Sequence, residues 1–129
     1  SHIHYAWLDG IEVLNRPFLP KDFREHCGPV EVEQPPSFVS GIGSPMVFEH
    51  MWPLVSELLD GSVVSSIEET ASAVKLVAER AHTIAEGAGA SSVAGALSGK
   101  AGGGKVACVV SGGNIDLSKL AKILRGQVP

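Results

Sequence analysis

Apolar and polar positions change period several times along this chain, and the sharpest change falls near its end. Val106 to Val110 is a short unbroken apolar run that stops at Ser111, Gly112, Gly113 and Asn114, after which a new amphipathic segment begins near Leu117. Such a run bounded by glycines predicts a buried parallel strand, a tight turn and a helix from Leu117 to Leu124, with Asp116 as its N-cap. Upstream, Ser66-Ile-Glu-Glu69 has the spacing of a capping box, in which the serine hydroxyl and the glutamate carboxylate each satisfy a free backbone N–H. The helix it opens presents Ile67, Ala71, Val74, Val77, Ala78 and Ala81 as its buried stripe. Glu68 and Glu69 suit its positive end, and Arg80 and His82 its negative end.

Between these two signals, Thr83-Ile-Ala-Glu86 reads as another strand. It runs into Gly87-Ala-Gly-Ala-Ser-Ser92 and a helix from about Gly89 to Leu97. Ala88, Ala90, Ser91, Ala94, Gly95 and Ala96 are small enough for that helix to lie very close to a neighbour or a flat ligand. Before the capping box, Ser62-Val-Val-Ser65 is a short strand. The stripe Val47, Met51, Leu54, Val55, Leu58 and Leu59 predicts a helix that Pro53 makes start or kink near Trp52. Pro29 to Glu33 alternates as a strand does. The proline- and glycine-rich stretch from Gln34 to Pro45 is irregular but carries Phe38, Val39 and Ile42, which are expected to be buried. Residues 1 to 29 have mixed periodicity, broken by Pro17 and Pro20; they suit a short strand or hairpin and a turn, and no function is assigned to them. The alternation of strand and helix predicts an α/β fold with an open, mainly parallel sheet and helices on both faces.

Composition narrows the function. A chain of 129 residues is one modest domain, and a hydrophobic fraction of 44% with 5% aromatics gives an aliphatic core. A net charge of −4 without any basic run argues against a nucleic-acid partner. Apolar stretches fall well short of the roughly 20 residues that a membrane span needs, and no signal-peptide layout is present, so the expectation is a soluble, cytoplasmic protein. Two cysteines, Cys27 and Cys108, make no disulfide framework. His2, His4, His26, His50 and His82 are scattered without metal-ligand spacing, so no metal site is expected.

The chemistry gathers at two strand ends. In an open α/β sheet, ligands bind outside the carboxyl ends of strands, where helix N-termini present free N–H groups. Ser111 is placed there to hydrogen-bond a ligand, with glycines that let it come close, although the same turn also suits an ordinary strand-to-helix connection. Glu86 occupies the corresponding position one strand earlier. Gly99-x4-Gly104-Lys105 imitates a phosphate loop but has Val106 where a magnesium-binding hydroxyl belongs, and it precedes its strand instead of following one. It reads as a connection.

Ala85-Glu-Gly-Ala-Gly-Ala90, followed about twenty residues later by Val109-Val-Ser-Gly-Gly-Asn-Ile-Asp116, resembles the C-terminal signature of the threonine dehydratase and serine racemase group. These are pyridoxal-phosphate enzymes of fold type II, the tryptophan synthase beta-like fold. The likeness extends back to Pro36-Ser-Phe-Val-Ser-Gly-Ile-Gly43 and covers roughly residues 30 to 125. It implies pyridoxal phosphate as cofactor. Ser111 is then the hydrogen-bond partner of the pyridine nitrogen, Gly112 adjoins it, Glu86 lies beside the ring and the loop at Gly41 borders it. It also implies a small hydroxy-amino acid as substrate, with β-elimination to a 2-oxo acid and ammonia.

The departures from that pattern matter equally. The Schiff-base lysine of the group, in a Ser-x-Lys-x-Arg-Gly-like motif, and its glycine-rich phosphate loop do not occur here. Residues 30 to 129 are therefore expected to be the C-terminal part of the cofactor-binding large domain. Such a segment is inactive alone, names no catalytic residue of its own, and associates with itself or with the remainder of the enzyme. The competing expectation is a non-catalytic α/β module for binding or oligomerisation.

Overall fold

A parallel pair of strands needs a crossover between its members, and the chain supplies one between its first strand and the capping box. The computed structural model describes residues 4–8, 36–42, 48–58 and 61–129. Strand β1 (His4–Leu8) pairs in parallel with β2 (Gly61–Ser65), in a register that sets His4 opposite Gly61 and Leu8 opposite Ser65. Helix α1 (Trp52–Leu58) precedes β2 and begins at Trp52, which places Pro53 in the first turn, where its missing N–H costs nothing. Within β2, Val63 and Ser65 are buried while Val64 between them is half-buried, the alternation expected of a pleated strand. The Ser65 hydroxyl is the one buried side-chain polar atom without a hydrogen-bond partner among the described residues.

Helix α2 (Ile67–Ala81) starts at the capping box read from the sequence. Glu69 N–H donates to Ser66 Oγ at 3.1 Å, and Ser66 N–H donates to Glu69 Oε2 at 2.7 Å. Thr70, Ala71, Ala73, Val74 and Val77 form its buried face. Ala81, expected on that face, is exposed in the last turn, and Ile67 and Ala78 are half-buried. The helix stops at His82, which adopts a left-handed conformation with φ 52°.

Helix α3 (Gly87–Leu97) begins two residues earlier than the glycine pattern suggests, with Glu86 as N-cap. Its surface of Ala88, Ala90, Ala94 and Gly95 is buried, and it packs against α2 and both strands. Helix α4 (Leu117–Leu124) docks on α2 through Leu120 and Ile123. Asp116 stands at its N-cap position but makes no side-chain capping bond. It pairs instead with Lys119 Nζ at 3.1 Å.

Two expected strands have no partner strand among the described residues. Residues 83–86 and 106–110 carry no strand ladder, and Val106, Val109 and Val110 are 49%, 75% and 39% exposed. The run does have strand composition, but a strand is defined by its hydrogen-bonded neighbour, and the described residues offer this one none. It lies along α3 instead, where Ser92 Oγ donates to Val109 O at 2.9 Å and Cys108 Sγ donates to Ser92 O at 3.5 Å. Cys108 is accordingly half-buried rather than enclosed in a sheet. The strand expected over Pro29 to Glu33, the second cysteine Cys27 and most of segment 1–29 lie outside the described residues.

The glycine loop after α3 is open to its surroundings. Gly99, Gly102 and Gly104 take positive φ angles and, with Gly103, face open space. Lys100 turns back, so that Nζ donates to Val64 O at 2.9 Å and lies 3.6 Å from Glu69 Oε1. This ties the loop to β2 and to the start of α2. No helix among the described residues is long and apolar enough to cross a membrane.

Candidate functional site

Three segments far apart in sequence meet at the N-terminus of α3. The first is the irregular stretch around Phe38, held by its apolar side chains. Phe38 and Val39 are buried against Gly87, where an added methyl would sit 2.7 Å from Val39 Cγ2 and 2.9 Å from Phe38 Cε2. Val39 N–H donates to Ser37 Oγ at 3.1 Å. This anchorage carries the single 3-10 turn Ser40–Ile42 onto the helix. There the Gly41 backbone comes so close that a Cβ would lie 2.9 Å from Ala88 Cβ and 3.4 Å from Glu86 Oε1.

The second segment is Ile84 to Gly89, and the third is the turn Ser111 to Gly113. Glu86 N–H donates to Gly112 O at 3.0 Å, the backbone link between them. A methyl on Gly89 would stand 2.5 Å from Gly112 O and 3.0 Å from Gly112 N, and one on Gly113 would stand 2.5 Å from Ile84 O. A methyl on Gly112 itself would run into Glu86 Oε1. The Gly112 peptide is therefore seated between the Glu86 side chain and the bare Cα of Gly89. The half-buried carboxylate of Glu86 in turn lies between Gly112 and Gly41.

Of the four residues singled out from the sequence, Gly41, Glu86 and Gly112 converge on this spot, and Ser111 is the exposed neighbour of Gly112. The Ser111 hydroxyl and the Glu86 carboxylate make no hydrogen bond to any described residue. The first N–H groups of α3 have no partner within the helix and give this end positive potential. Such an arrangement can offer a ligand atom one exposed hydroxyl able to donate or accept, beside a half-buried carboxylate. No group of three or more histidine, cysteine, aspartate or glutamate side chains able to hold a metal ion occurs among the described residues.

Sequence reasoning attributed both glycines of the Ser111 turn to close approach of a ligand. The structure gives them a prior duty, because Gly113 and Gly112 let this turn lie on Ile84 and Glu86. Gly89 and Phe38, which complete the seat, carried a weaker signal. The Gly87-x-Gly89 spacing at a helix start was visible, but its partner across space was not.

The family described as "Pyridoxal-phosphate dependent enzyme" matches residues 10–112. An L-threonine ammonia-lyase of Thermotoga maritima is 36% identical over 117 residues, covering 89% of this chain and 29% of that protein. A threonine dehydratase of Nicotiana attenuata is 33% identical over 103 residues, covering 77% of this chain and 17% of that protein. Among solved structures, the processed form of threonine deaminase isoform 2 from Solanum lycopersicum superimposes with a TM-score of 0.77 at 25% identity, covering 98% of this chain and 36% of that one. Maize serine racemase shares the fold with a TM-score of 0.73 at 22% identity. The chain thus spans well under half the length of the relatives it matches.

Proposed function

Since the chain belongs to the family of pyridoxal-phosphate dependent enzymes, with their α/β fold, we propose that it forms part of a hydroxy-amino-acid dehydratase of the threonine or serine ammonia-lyase type. In this reading Ser111 meets the pyridine nitrogen of the cofactor, Gly112 and Gly41 border the ring, and Glu86 lies beside it. The observation that carries the reading is the convergence of Gly41, Glu86 and Gly112 around one half-buried carboxylate, with a hydroxyl free for a ligand next to it. When bound, the cofactor supplies the electron sink for loss of the substrate α-proton. A neutral hydroxyl orients the ring without holding its nitrogen protonated, whereas a carboxylate at position 111 would hold that proton.

Among the described residues, three lysines are engaged with the protein, and Lys105 and Lys122 are exposed. Lys75 lies 3.8 Å from Glu79, Lys100 donates to Val64 O, and Lys119 pairs with Asp116. The chain by itself is accordingly proposed to hold cofactor contacts without turning over substrate, the remaining groups coming from other parts of the enzyme.

Backbone NMR of the chain titrated with pyridoxal phosphate tests this assignment. Shift changes concentrated at Gly41, Glu86, Ser111 and Gly112 are expected. Changes confined to the exposed lysines Lys105 and Lys122 would overturn it.

A further inference from the structure

We infer that Gly89 is a positioning residue for Ser111, acting through the Gly112 peptide; the consequence for the cofactor rests on the functional reading above. The Ser111 turn has little side-chain anchorage of its own, because Ser111, Gly113 and Asn114 are exposed. What seats it is backbone against backbone. The Gly112 carbonyl receives the Glu86 N–H at 3.0 Å, and on α3 it lies where a Cβ of residue 89 would be, 2.5 Å away. That distance is well inside van der Waals contact, and the atom in the way is a main-chain oxygen committed to a hydrogen bond. It cannot swing aside as a side chain would. Any residue larger than glycine at 89 must lift the Gly112 peptide off the helix, breaking its link to Glu86 and moving Ser111, the adjacent residue.

The rest of the helix gives no reason for a glycine at this point. Position 89 has an ordinary helical φ, since the positive φ angles among the described glycines fall at 99, 102, 104 and 126. Gly89 is the third residue of α3, where glycine is a poorer helix former than alanine. An alanine there would therefore favour the helix, and what excludes it is the turn above. Gly113 makes the same demand from the other side, through Ile84 O at 2.5 Å. The turn is thus held between two bare Cα positions, of which Gly89 belongs to the rigid element.

The test compares the full chain with Gly89→Ala and with a control, Gly103→Ala, whose added methyl meets nothing within 4 Å. Amide hydrogen exchange at Glu86 reads the clamp, exchange at Val74 and Val77 reports the integrity of α2, and the Ser111 amide and Cβ shifts report its position. In Gly89→Ala, exchange at Glu86 is expected to accelerate at least tenfold and the Ser111 signals to move, with Val74 and Val77 still protected and Gly103→Ala matching the parent. Affinity for pyridoxal phosphate should fall about tenfold in the same variant. Unchanged Glu86 exchange and Ser111 shifts would overturn the inference, and so would a loosened clamp that leaves Ser111 in place. Should Gly89→Ala lose α2 protection, Gly113→Ala, which loads the same turn from Ile84, is read by the same criteria. A parent chain that does not bind pyridoxal phosphate would contradict the functional reading, while the exchange and shift data would still decide the role of Gly89.

Discussion

At the residue scale, the start of α2 shows how much one serine can organise. The Ser66 hydroxyl oxygen accepts from Glu69 N–H, the Glu69 carboxylate answers on Ser66 N–H, and the Ser66 carbonyl receives Thr70 Oγ1 at 2.9 Å. The Glu68 carboxyl is held below the usual glutamate range, first by its own backbone N–H and then by the Ser66 hydroxyl. A carboxylate whose pKa is depressed on folding contributes stability above its unfolded pKa and loses it as the pH falls through the folded value. Ser66→Ala is therefore expected to cost about 1 kcal/mol near neutral pH and to lessen the loss of stability on acidification. Denaturant unfolding at neutral and acidic pH checks both, and an equal cost throughout would remove the coupling to Glu68. The Ser66–Glu69 box was legible beforehand, because its partners lie three residues apart, whereas the contacts of Thr70 and Glu68 with Ser66 were not read. Asp116 looked like a similar cap, yet its carboxylate pairs with Lys119, a choice between two local partners that residue types alone do not decide.

At the element scale, helices were read better than strands, and the reason is where each finds its hydrogen bonds. Helices α2 and α4 close their own ladders, so the stripe through Val74 and Val77 and the segment Leu117–Leu124 appear as expected. Gly61–Ser65 is a strand because β1 lies beside it. The Val106 to Val110 run has the composition of a strand but no such neighbour among the described residues, and its valines are left exposed. The amphipathic pattern of α4 also predicts what fixes it. Ile123 is 1% exposed and Leu120 is 7% exposed, while Leu117 and Leu124 face outward. Ile123→Ala should lower stability by roughly 2–5 kcal/mol, the range for a buried aliphatic truncation, whereas Leu117→Ala should change it little. Thermal unfolding of the two variants decides this, and similar losses would mean that α4 is not docked by its Ile123 face.

At the scale of the whole molecule, the N-terminus of α3 gathers Gly41, Glu86 and Gly112 from three separate segments. Gly41, Glu86, Ser111 and Gly112 were named from the sequence through the family resemblance of their motifs, and three of them meet in the structure. Their support could not be named in that way, since Phe38, Ala88 and Gly89 act through contacts between segments more than 20 residues apart. The most direct test is the near-visible absorption of the purified chain with added pyridoxal phosphate, for the parent and for Ser111→Ala, followed by borohydride reduction and peptide mapping. The account predicts binding that weakens about tenfold in Ser111→Ala, the worth of one hydrogen bond at the upper end of its usual range, with no single lysine labelled. Equal binding by the parent and the variant, or one lysine labelled stoichiometrically, would contradict it.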